Sequence, residues 1–498
     1  MPPFDLKGCD ITNQPKVYEV IIIGNGPSAI CLSFLLSGYR PYYNGLPHSV
    51  PFLEEKLKGL KGKSVVESDL YDLAQGLEGR SLNPVAVLFD HMLHPDADHG
   101  ALNPSLLTWV YDRQHEIPHL VLGKWSPGGS WQQMDGNLQT ISISNWMELP
   151  SLPLQKWLNK KKTSVSEKNR KDNRATVADV RNYYCDFLKE KNIYKNFRNG
   201  YLVSSVQKVL DTCEGIDCES GEAMPCCQNV KADHKFLWEV RGHKVDTKRR
   251  DGQEPFPHED FCFQSNSVVL ATGTTDLPNR LGTTGENLPY VVHSLKAFEQ
   301  MITKKEIASD SDPVVVVGAG LSAADAILMA LENDISVAHV FRVSPNDSSL
   351  VFKKLPLSMY PEYHRVYSLM KGKEVNDLYK PYSRHQVEDL QKDNKVLIKC
   401  LKNSCNISTL NTSLAVVLIG AKPNLAFLPQ EGKYLGTIEK QSIDSKHNPI
   451  QVDPFSYEAI KEPGMYAMGP LMGDNFVRFA IGGSLGITNH LIMKAQGK

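Results

Sequence analysis

A glycine-rich turn between an apolar strand and a helix occurs twice in this chain and constrains its fold more than any other feature. The first copy is VIIIGNGPSA at 20–29, and the second is VVVVGAGLSA at 314–323. In a dinucleotide-binding fold the first glycine permits a tight turn, the second lets the backbone approach a pyrophosphate, and a small third residue lets the helix pack on the strand. The helix N-terminus favours the phosphate charge. Two copies predict an α/β fold with two Rossmann-like domains and two bound dinucleotides.

The residues predicted to contact these dinucleotides lie in the two turns and in two further segments. In the segment 128–131 paired glycines let the backbone lie against a flat ligand, and a tryptophan shields it from water. A structural turn with a core tryptophan is the alternative. The segment 271–273 is a small-residue turn after the buried strand 267–270. The predicted contact residues are Gly24, Gly26, Pro27, Ser28, Ala29, Gly128, Gly129, Trp131, Ala271, Thr272, Gly273, Gly318, Gly320, Ser322 and Ala323.

The order of the strands predicts how the two domains are connected. The strand 267–270 has a counterpart at 415–419, and each is expected to re-enter the parallel sheet beside its nucleotide. Strand-like segments at 201–209, 235–240 and 261–264 predict a β-meander before the first of them. The second domain is therefore expected to be inserted into the first. The predicted boundaries are 1–310 for the first part of the outer domain, with a basic insertion at 159–174, 311–412 for the inserted domain, and 413–498 for the rest.

Composition excludes several classes of function. A net charge of −1 over 498 residues predicts no nucleic-acid partner, and no apolar run is long enough to cross a bilayer. The ten cysteines are scattered and form no Cys-x-x-Cys pair, which indicates a reducing compartment and weighs against a disulfide reductase. Residues 1–5 show no start of a secretory signal. We expect a cytoplasmic location, with nuclear or mitochondrial association left open.

Three polar segments are interpreted as solvated. The loop HPDADH at 94–99 has neither zinc nor calcium spacing, and Cys213, Cys218, Cys226 and Cys227 are irregularly spaced, so no metal site is predicted. The basic segment 159–174 is expected to be an exposed loop, with nuclear targeting or an acidic partner as the alternative. No Ser-His-Asp arrangement or carboxylate pair indicates hydrolysis, and no side chain is assigned as catalytic.

Taken together, the motifs carry a family resemblance. The Gly-x-Gly-Pro-Ser turn, Gly-Gly-x-Trp, the meander with Ala-Thr-Gly, His293-Ser294 and the second turn resemble a class B flavin-dependent monooxygenase. More narrowly, the chain resembles the oxidative-stress-induced growth inhibitor family in the segments 24–28, 36–39, 76–81, 83–86, 360–364 and 473–479.

This resemblance implies FAD on the first turn and NADPH on the second. It further implies NADPH-dependent monooxygenase activity with O₂ and a small-molecule substrate, and roles in restraining proliferation, cell death and cell division. The rival hypothesis is a flavin-binding regulatory protein with slow or no turnover that acts through protein partners. A plain NADPH oxidase is the third.

Two further contacts are predicted for these cofactors. The second strand of the inserted domain, 336–341, ends in Arg342, whose guanidinium suits the 2′-phosphate of NADPH where an NAD enzyme would place an acid. A surface salt bridge is the alternative. Near the C-terminus, Gly473 and Asp474 are expected to reach the ribityl chain of FAD, as the Gly-Asp pair does in flavoprotein relatives. No acid is assigned to the FAD ribose, because the first acids after the turn, Glu54 and Glu55, come late.

Overall fold

The structure, a computed structural model, describes residues 17–161, 174–210, 236–245, 257–402 and 406–497. Predictions for residues 1–5, for most of the basic segment and for the cysteines at 213–227 lie outside these ranges, as does residue 235 of the predicted meander.

The described strands are β1 (Val17–Ile23), β2 (Ser37–Tyr43), β3 (Leu107–Glu116), β4 (His119–Gly123), β5 (Phe197–Asn199), β6 (Tyr201–Leu210), β7 (Phe236–Val245), β8 (Pro257–Leu270), β9 (Leu277–Pro278), β10 (Val291–Val292), β11 (Val314–Val317), β12 (Val337–Phe341), β13 (Tyr379–Ser383), β14 (His385–Gln391), β15 (Lys395–Cys400), β16 (Ile407–Asn411), β17 (Leu414–Val417), β18 (Ala421–Lys422) and β19 (Met465–Ala467). The described α-helices are α1 (Pro27–Leu36), α2 (Pro51–Gly59), α3 (Leu70–Ala74), α4 (Pro84–Leu93), α5 (Leu154–Lys161), α6 (Val177–Glu190), α7 (Leu295–Thr303), α8 (Leu321–Glu332), α9 (Pro361–Met370), α10 (Val477–Ala480) and α11 (Gly483–Ala495). Within the described ranges, every helix is too short or too polar to cross a membrane.

The first sheet combines a parallel part with the predicted meander. Strands β5, β4, β1 and β8 run parallel, and β19 joins β8 in the same direction. Strands β6, β7 and β8 form the antiparallel meander. The predicted segments 261–264 and 267–270 are one strand, β8, and their separation was wrong. Polar residues hide the continuity, since Ser265 is fully buried and its hydroxyl donates to the Ser267 carbonyl at 2.8 Å.

Alternating side chains on the central strands divide the core of the first unit into two layers. Val20 and Ile22 of β1 pack with helices α1, α6 and α11 on one face of the sheet. Ile21 and Ile23 pack on the other face with the meander and residues 425–471. This period of two is what a strand buried on both faces requires.

The second sheet is built from the segment between β8 and β19. It is parallel, in the order β10, β17, β11, β12 and β13. Because β19 returns to the first sheet, the second unit is inserted into the first, as predicted. Strand β10 and helix α7 precede residue 311, yet β10 pairs with this sheet and Phe298 of α7 lies in its core. The residue boundaries given above remain predictions.

A buried arginine holds the two units together. Arg174 of the first unit is only 3% exposed, and its Nη1 donates to the Met359 carbonyl and to Glu362 Oε1 of the second unit, both at 2.8 Å. Its Nε donates to the Thr140 carbonyl at 2.7 Å, and its guanidinium lies 4.6 Å from the ring of Tyr360. These contacts replace water around Nε and Nη1, whereas the buried Nη2 has no hydrogen-bond partner within the described ranges.

We expect Arg174→Met to lower the free energy of unfolding by about 3 kcal/mol, because it leaves Glu362 and the carbonyls of Thr140 and Met359 without this donor. The matched control is Arg365→Met, whose exposed ion pair with Glu374 should contribute less than about 1 kcal/mol. Urea unfolding of both variants measures the difference. Equal losses in the two variants would contradict a bridging role for Arg174.

Candidate functional site

The first turn is held in place by a close approach of its first glycine to the neighbouring strand. Gly24 has φ +106°, and a Cβ built on it would lie 2.3 Å from the Ala271 carbonyl oxygen. Gly26 differs, since its φ of −74° suits any residue and a Cβ there would meet nothing within 4 Å. Packing therefore explains the glycine at position 24 but not the one at position 26.

The second turn repeats this arrangement. Gly318 has φ +136°, and its Cβ would lie 2.2 Å from the Leu418 carbonyl oxygen. Gly320 has φ −95° and open space in front of it. The alanine at the third position is buried in each turn, with Ala29 at 0% and Ala323 at 1% exposure. In each turn, therefore, neither packing nor backbone conformation requires a glycine at the second position, which is Gly26 or Gly320.

Both open glycines precede a helix whose first N–H groups lack a side-chain cap. Neither Gly26 before α1 nor Gly320 before α8 provides a capping hydrogen bond. An uncapped helix N-terminus with free space in front fits a pyrophosphate. Thr272, next to Ala271, has a buried hydroxyl without a hydrogen-bond partner in the described ranges, and this orphaned group also fits a ligand.

The structure brings the paired glycines against the first turn. The Gly128 N–H donates to the Asn25 carbonyl at 2.8 Å, and a Cβ on Gly129 would lie 3.0 Å from the Gly26 Cα. Trp131 is partly buried and packs on the core of the first unit. Five of the predicted contact residues therefore lie together at the first turn: Gly24, Gly26, Ala271, Gly128 and Gly129.

The strand beside β1 explains why no acid was found for the FAD ribose. Strand β1 lies between β8 and β4 in the sheet. The neighbour on the side away from β8 is β4, because β2 pairs antiparallel with β3 and stays outside the parallel sheet. Strand β4 ends at Gly123, where a Cβ would lie 2.0 Å from Asn25 Nδ2. Asn25 Nδ2 instead donates to the Trp125 carbonyl at 2.6 Å. No acid follows β4 directly, so the usual ribose contact is absent from this position.

His339 is a supporting residue that sequence reasoning missed. It lies in β12, 1% exposed, with Nε2 2.6 Å from the Gly318 carbonyl and Nδ1 2.7 Å from the Tyr379 hydroxyl. Burial lowers the pKa of His339 to about 4, so the ring is neutral at pH 7. Nε2 must donate to the carbonyl, and Nδ1 accepts from Tyr379. His339 and Tyr379 together hold the Gly318 carbonyl, and so the second turn, in place. In the sequence, the one signal for this role was a single histidine in an apolar strand.

Arg342 follows β12, the strand beside the second turn. Its side chain is exposed, and it makes no ion pair or hydrogen bond with the part of the chain that the structure describes. The salt bridge considered as its alternative does not occur there. Ser322 is exposed in the first turn of α8, whereas Ser28 is buried in the first turn of α1.

At the C-terminal end, a different glycine lies at the first turn. After β19, a Cβ on Gly469 would lie 2.6 Å from Ser28 Oγ. Asp474, further along the chain after β19, is 5% exposed and accepts hydrogen bonds from Ser81 Oγ at 2.6 Å and Asn83 Nδ2 at 2.7 Å. The structure thus gives both Asp474 oxygens protein partners. The FAD contact of Gly473 and Asp474 stays a prediction.

The loop at 94–99 is not wholly solvated, and that expectation was wrong for His94, Pro95 and Ala97, which are buried, and for Asp98, which forms an ion pair. His94 is 9% exposed and lies between Asp90 and Glu148. Asp98 accepts from Arg478 Nη1 at 2.9 Å. The structure shows no group of three or more metal-ligating side chains in its described ranges.

We expect the stability of the chain to depend on the protonation of Asp474. Burial raises its pKa to about 6, above about 3.9 for a solvated aspartate. Its stabilising contribution is therefore full below about pH 4 and lost as the pH rises through 6. Asp474→Asn should gain about 2 to 3 kcal/mol in free energy of unfolding, relative to the native chain, between pH 4 and pH 7.

Urea unfolding at several pH values measures that difference. Asp310→Asn, at an exposed aspartate, is the matched control. A flat difference for Asp474→Asn would mean that its carboxyl is not protonated in the folded chain.

Comparisons with known proteins agree with this geometry. Residues 258–469 match a family model described as pyridine nucleotide-disulphide oxidoreductase. Oxidative stress-induced growth inhibitor 2 from Homo sapiens is 42% identical over 497 residues, which cover 98% of this chain and 96% of the relative.

Two solved structures share the fold. The bacillithiol disulfide reductase Bdr (YpdA) from Staphylococcus aureus has a TM-score of 0.56 at 14% identity, covering 96% of this chain and 99% of that one. FAD-bound DfoA, the cadaverine monooxygenase of desferrioxamine biosynthesis from Erwinia amylovora, has a TM-score of 0.52 at 12% identity, covering 97% of this chain and 95% of that one. The chain has a flavin-dependent oxidoreductase-like fold, and by its near full-length identity it belongs to the oxidative stress-induced growth inhibitor family.

Proposed function

We propose that this chain binds FAD at the first turn and NADPH at the second, and that it is a monooxygenase that uses O₂ on a small-molecule substrate. The observation that carries the proposal is the pair of glycines, Gly26 and Gly320, that face open space before uncapped helices. The fold shared with the FAD-bound cadaverine monooxygenase supports a flavin at the first turn. Bound FAD would supply hydride acceptance and oxygen activation.

The residues of this chain would bind and orient the cofactors. The backbone around Gly26, closed from one side by Gly128 and Gly129, would hold the FAD pyrophosphate, and the Thr272 hydroxyl would donate to the same cofactor. Gly320 would take the NADPH pyrophosphate, while Arg342 would contact the 2′-phosphate. His339 would keep the Gly318 carbonyl turned away from the phosphates. No Cys-x-x-Cys pair occurs in the sequence, so we do not propose a paired-thiol disulfide reductase.

A regulatory role is the second candidate. The relatives are named growth inhibitors, which favours a protein that restrains proliferation and acts in cell death and division. In that case flavin would be bound, but NADPH oxidation would be slow and protein partners would carry the effect. We also propose a cytoplasmic location, with nuclear or mitochondrial association as the alternative.

Purified protein separates these candidates. We expect a flavin absorbance spectrum that bleaches on anaerobic addition of NADPH, followed by transfer of ¹⁸O from labelled O₂ into a product. Peroxide without labelled product would indicate an oxidase, and bound flavin that NADPH does not reduce would favour the regulatory role. Protein that cannot be reconstituted with FAD would exclude both flavin-dependent candidates.

Alanine substitutions at the open glycines should separate the two cofactor sites. Gly26→Ala should abolish FAD binding and Gly320→Ala should weaken NADPH binding at least tenfold, while the melting temperature of the apoprotein changes little, because each new Cβ meets only the ligand's space. Gly59→Ala, also an open glycine but outside both turns, is the matched control. Flavin absorbance and NADPH titration measure the effects. Unchanged cofactor binding in both variants would contradict the proposal.

The choice of nicotinamide cofactor should depend on Arg342. Arg342→Ser removes the bidentate donor for a 2′-phosphate, so we expect the dissociation constant of NADPH to rise about 10- to 100-fold. The affinity for NADH should change less than about threefold, because NADH has no such phosphate. Stopped-flow flavin reduction with each cofactor measures both. An equal effect on NADPH and NADH would show that the guanidinium does not read the phosphate.

A further inference from the structure

A cavity lies away from both glycine turns, between the end of α4, the start of β3 and the loop 148–153. Its volume is about 180 Å³, and its apolar lining includes Leu93, Leu107, Trp109 and Leu149. An apolar cavity of about 150 Å³ is large enough to bind benzene. This one therefore has room for a single six-membered ring with one small substituent.

Two polar side chains stand together in the lining of this cavity. His94 Nε2 and Glu148 Oε1 are 3.7 Å apart, which is too long for a hydrogen bond. His94 is 9% exposed, and its Nδ1, 3.3 Å from Asp90 Oδ1, lacks a well-formed hydrogen bond within the described ranges. Within the described part of the chain, Glu148 Oε2 accepts one hydrogen bond, from the Leu154 N–H at 3.2 Å. Both side chains have hydrogen-bonding capacity to spare.

The wall behind these two groups is fixed by a buried charge network. Arg478, 3% exposed, donates two short hydrogen bonds to Asp90 and a third to Asp98 at 2.9 Å. Its guanidinium also lies 4.9 Å from the ring of Trp146. Arg478 donates to both oxygens of Asp90, and His94 Nδ1 lies 3.3 Å from Asp90 Oδ1 without a well-formed hydrogen bond in the described ranges. The polar end of the cavity is thus rigid and incompletely paired, as in a preorganised binding site.

The charges at this end restrict the ligand. Glu148 would repel a carboxylate. Burial lowers the pKa of His94, but its contacts with Asp90 and Glu148 outweigh burial and raise the pKa, so this imidazole takes up a proton more readily than a solvated one and disfavours a cation. A neutral hydroxyl meets neither objection, since it can accept from His94 and donate to Glu148.

We propose that this cavity is a second small-molecule site, which binds a neutral, phenol-sized ligand with its apolar body against Trp109 and its hydroxyl between His94 and Glu148. The site does not rest on the proposed flavin function, because none of its residues belongs to the glycine turns.

Phenol and toluene test this assignment on the full chain, with ligand-observed NMR and calorimetry as readouts. We expect phenol to bind with a dissociation constant of about 1 mM or lower, and toluene, benzoate and benzylamine to bind at least tenfold more weakly. No phenol binding, or equal binding of phenol and toluene by the native chain, would overturn the proposal without any variant.

Two substitutions locate the site. Glu148→Gln keeps the shape but removes the charged acceptor, so phenol affinity should fall about tenfold and toluene affinity should not change. Leu107→Phe fills the cavity and should abolish binding of both. Glu332→Gln, at an exposed carboxylate on α8, is the matched control and should change neither. Phenol binding that survives Leu107→Phe, or that is equally affected by both glutamine variants, would overturn the location. If Leu107→Phe does not fold, the two glutamine variants decide.

Discussion

The structure depends on one close approach that is made twice, between the first glycine of a turn and the carbonyl that follows the adjacent strand. Gly24 lies against Ala271, and Gly318 lies against Leu418, at distances that no side chain would tolerate. This contact fixes the start of each helix relative to its sheet. The second glycine of each turn, Gly26 or Gly320, faces open space. The first glycine therefore packs the turn against the sheet, and the second leaves room for a ligand.

The two units support their turns by different means. In the second unit a neutral histidine, His339, donates to the Gly318 carbonyl and is itself oriented by Tyr379. In the first unit Asn25 uses its side chain to bind the Trp125 carbonyl, and its own carbonyl accepts from Gly128. The first turn is thus covered by a loop, whereas the second is backed by a buried side chain.

The features that could be predicted from the sequence are those set by local geometry. The glycine turns, their strands and the insertion of one unit into the other follow from spacing and apolar runs, because a tight turn between strand and helix permits few residue types. The continuity of β8 was missed because Ser265 is polar, although its hydroxyl finds a partner two residues away. Contacts such as Asp474 with Ser81 join residues 393 positions apart. Only the three-dimensional fold brings such side chains together.

The insertion also sets an order for assembly during synthesis. Strand β19 pairs with β8, and α11 packs on α1, so the outer unit lacks one strand and one covering helix until residues 465–497 have been made. The inserted unit, whose β17 ends at Val417, is complete earlier on the ribosome. The face of α1 that packs on α11 therefore stays uncovered while the inserted unit is translated. Until the C-terminal segment emerges, that face of α1 is an exposed apolar surface of the kind that chaperones bind.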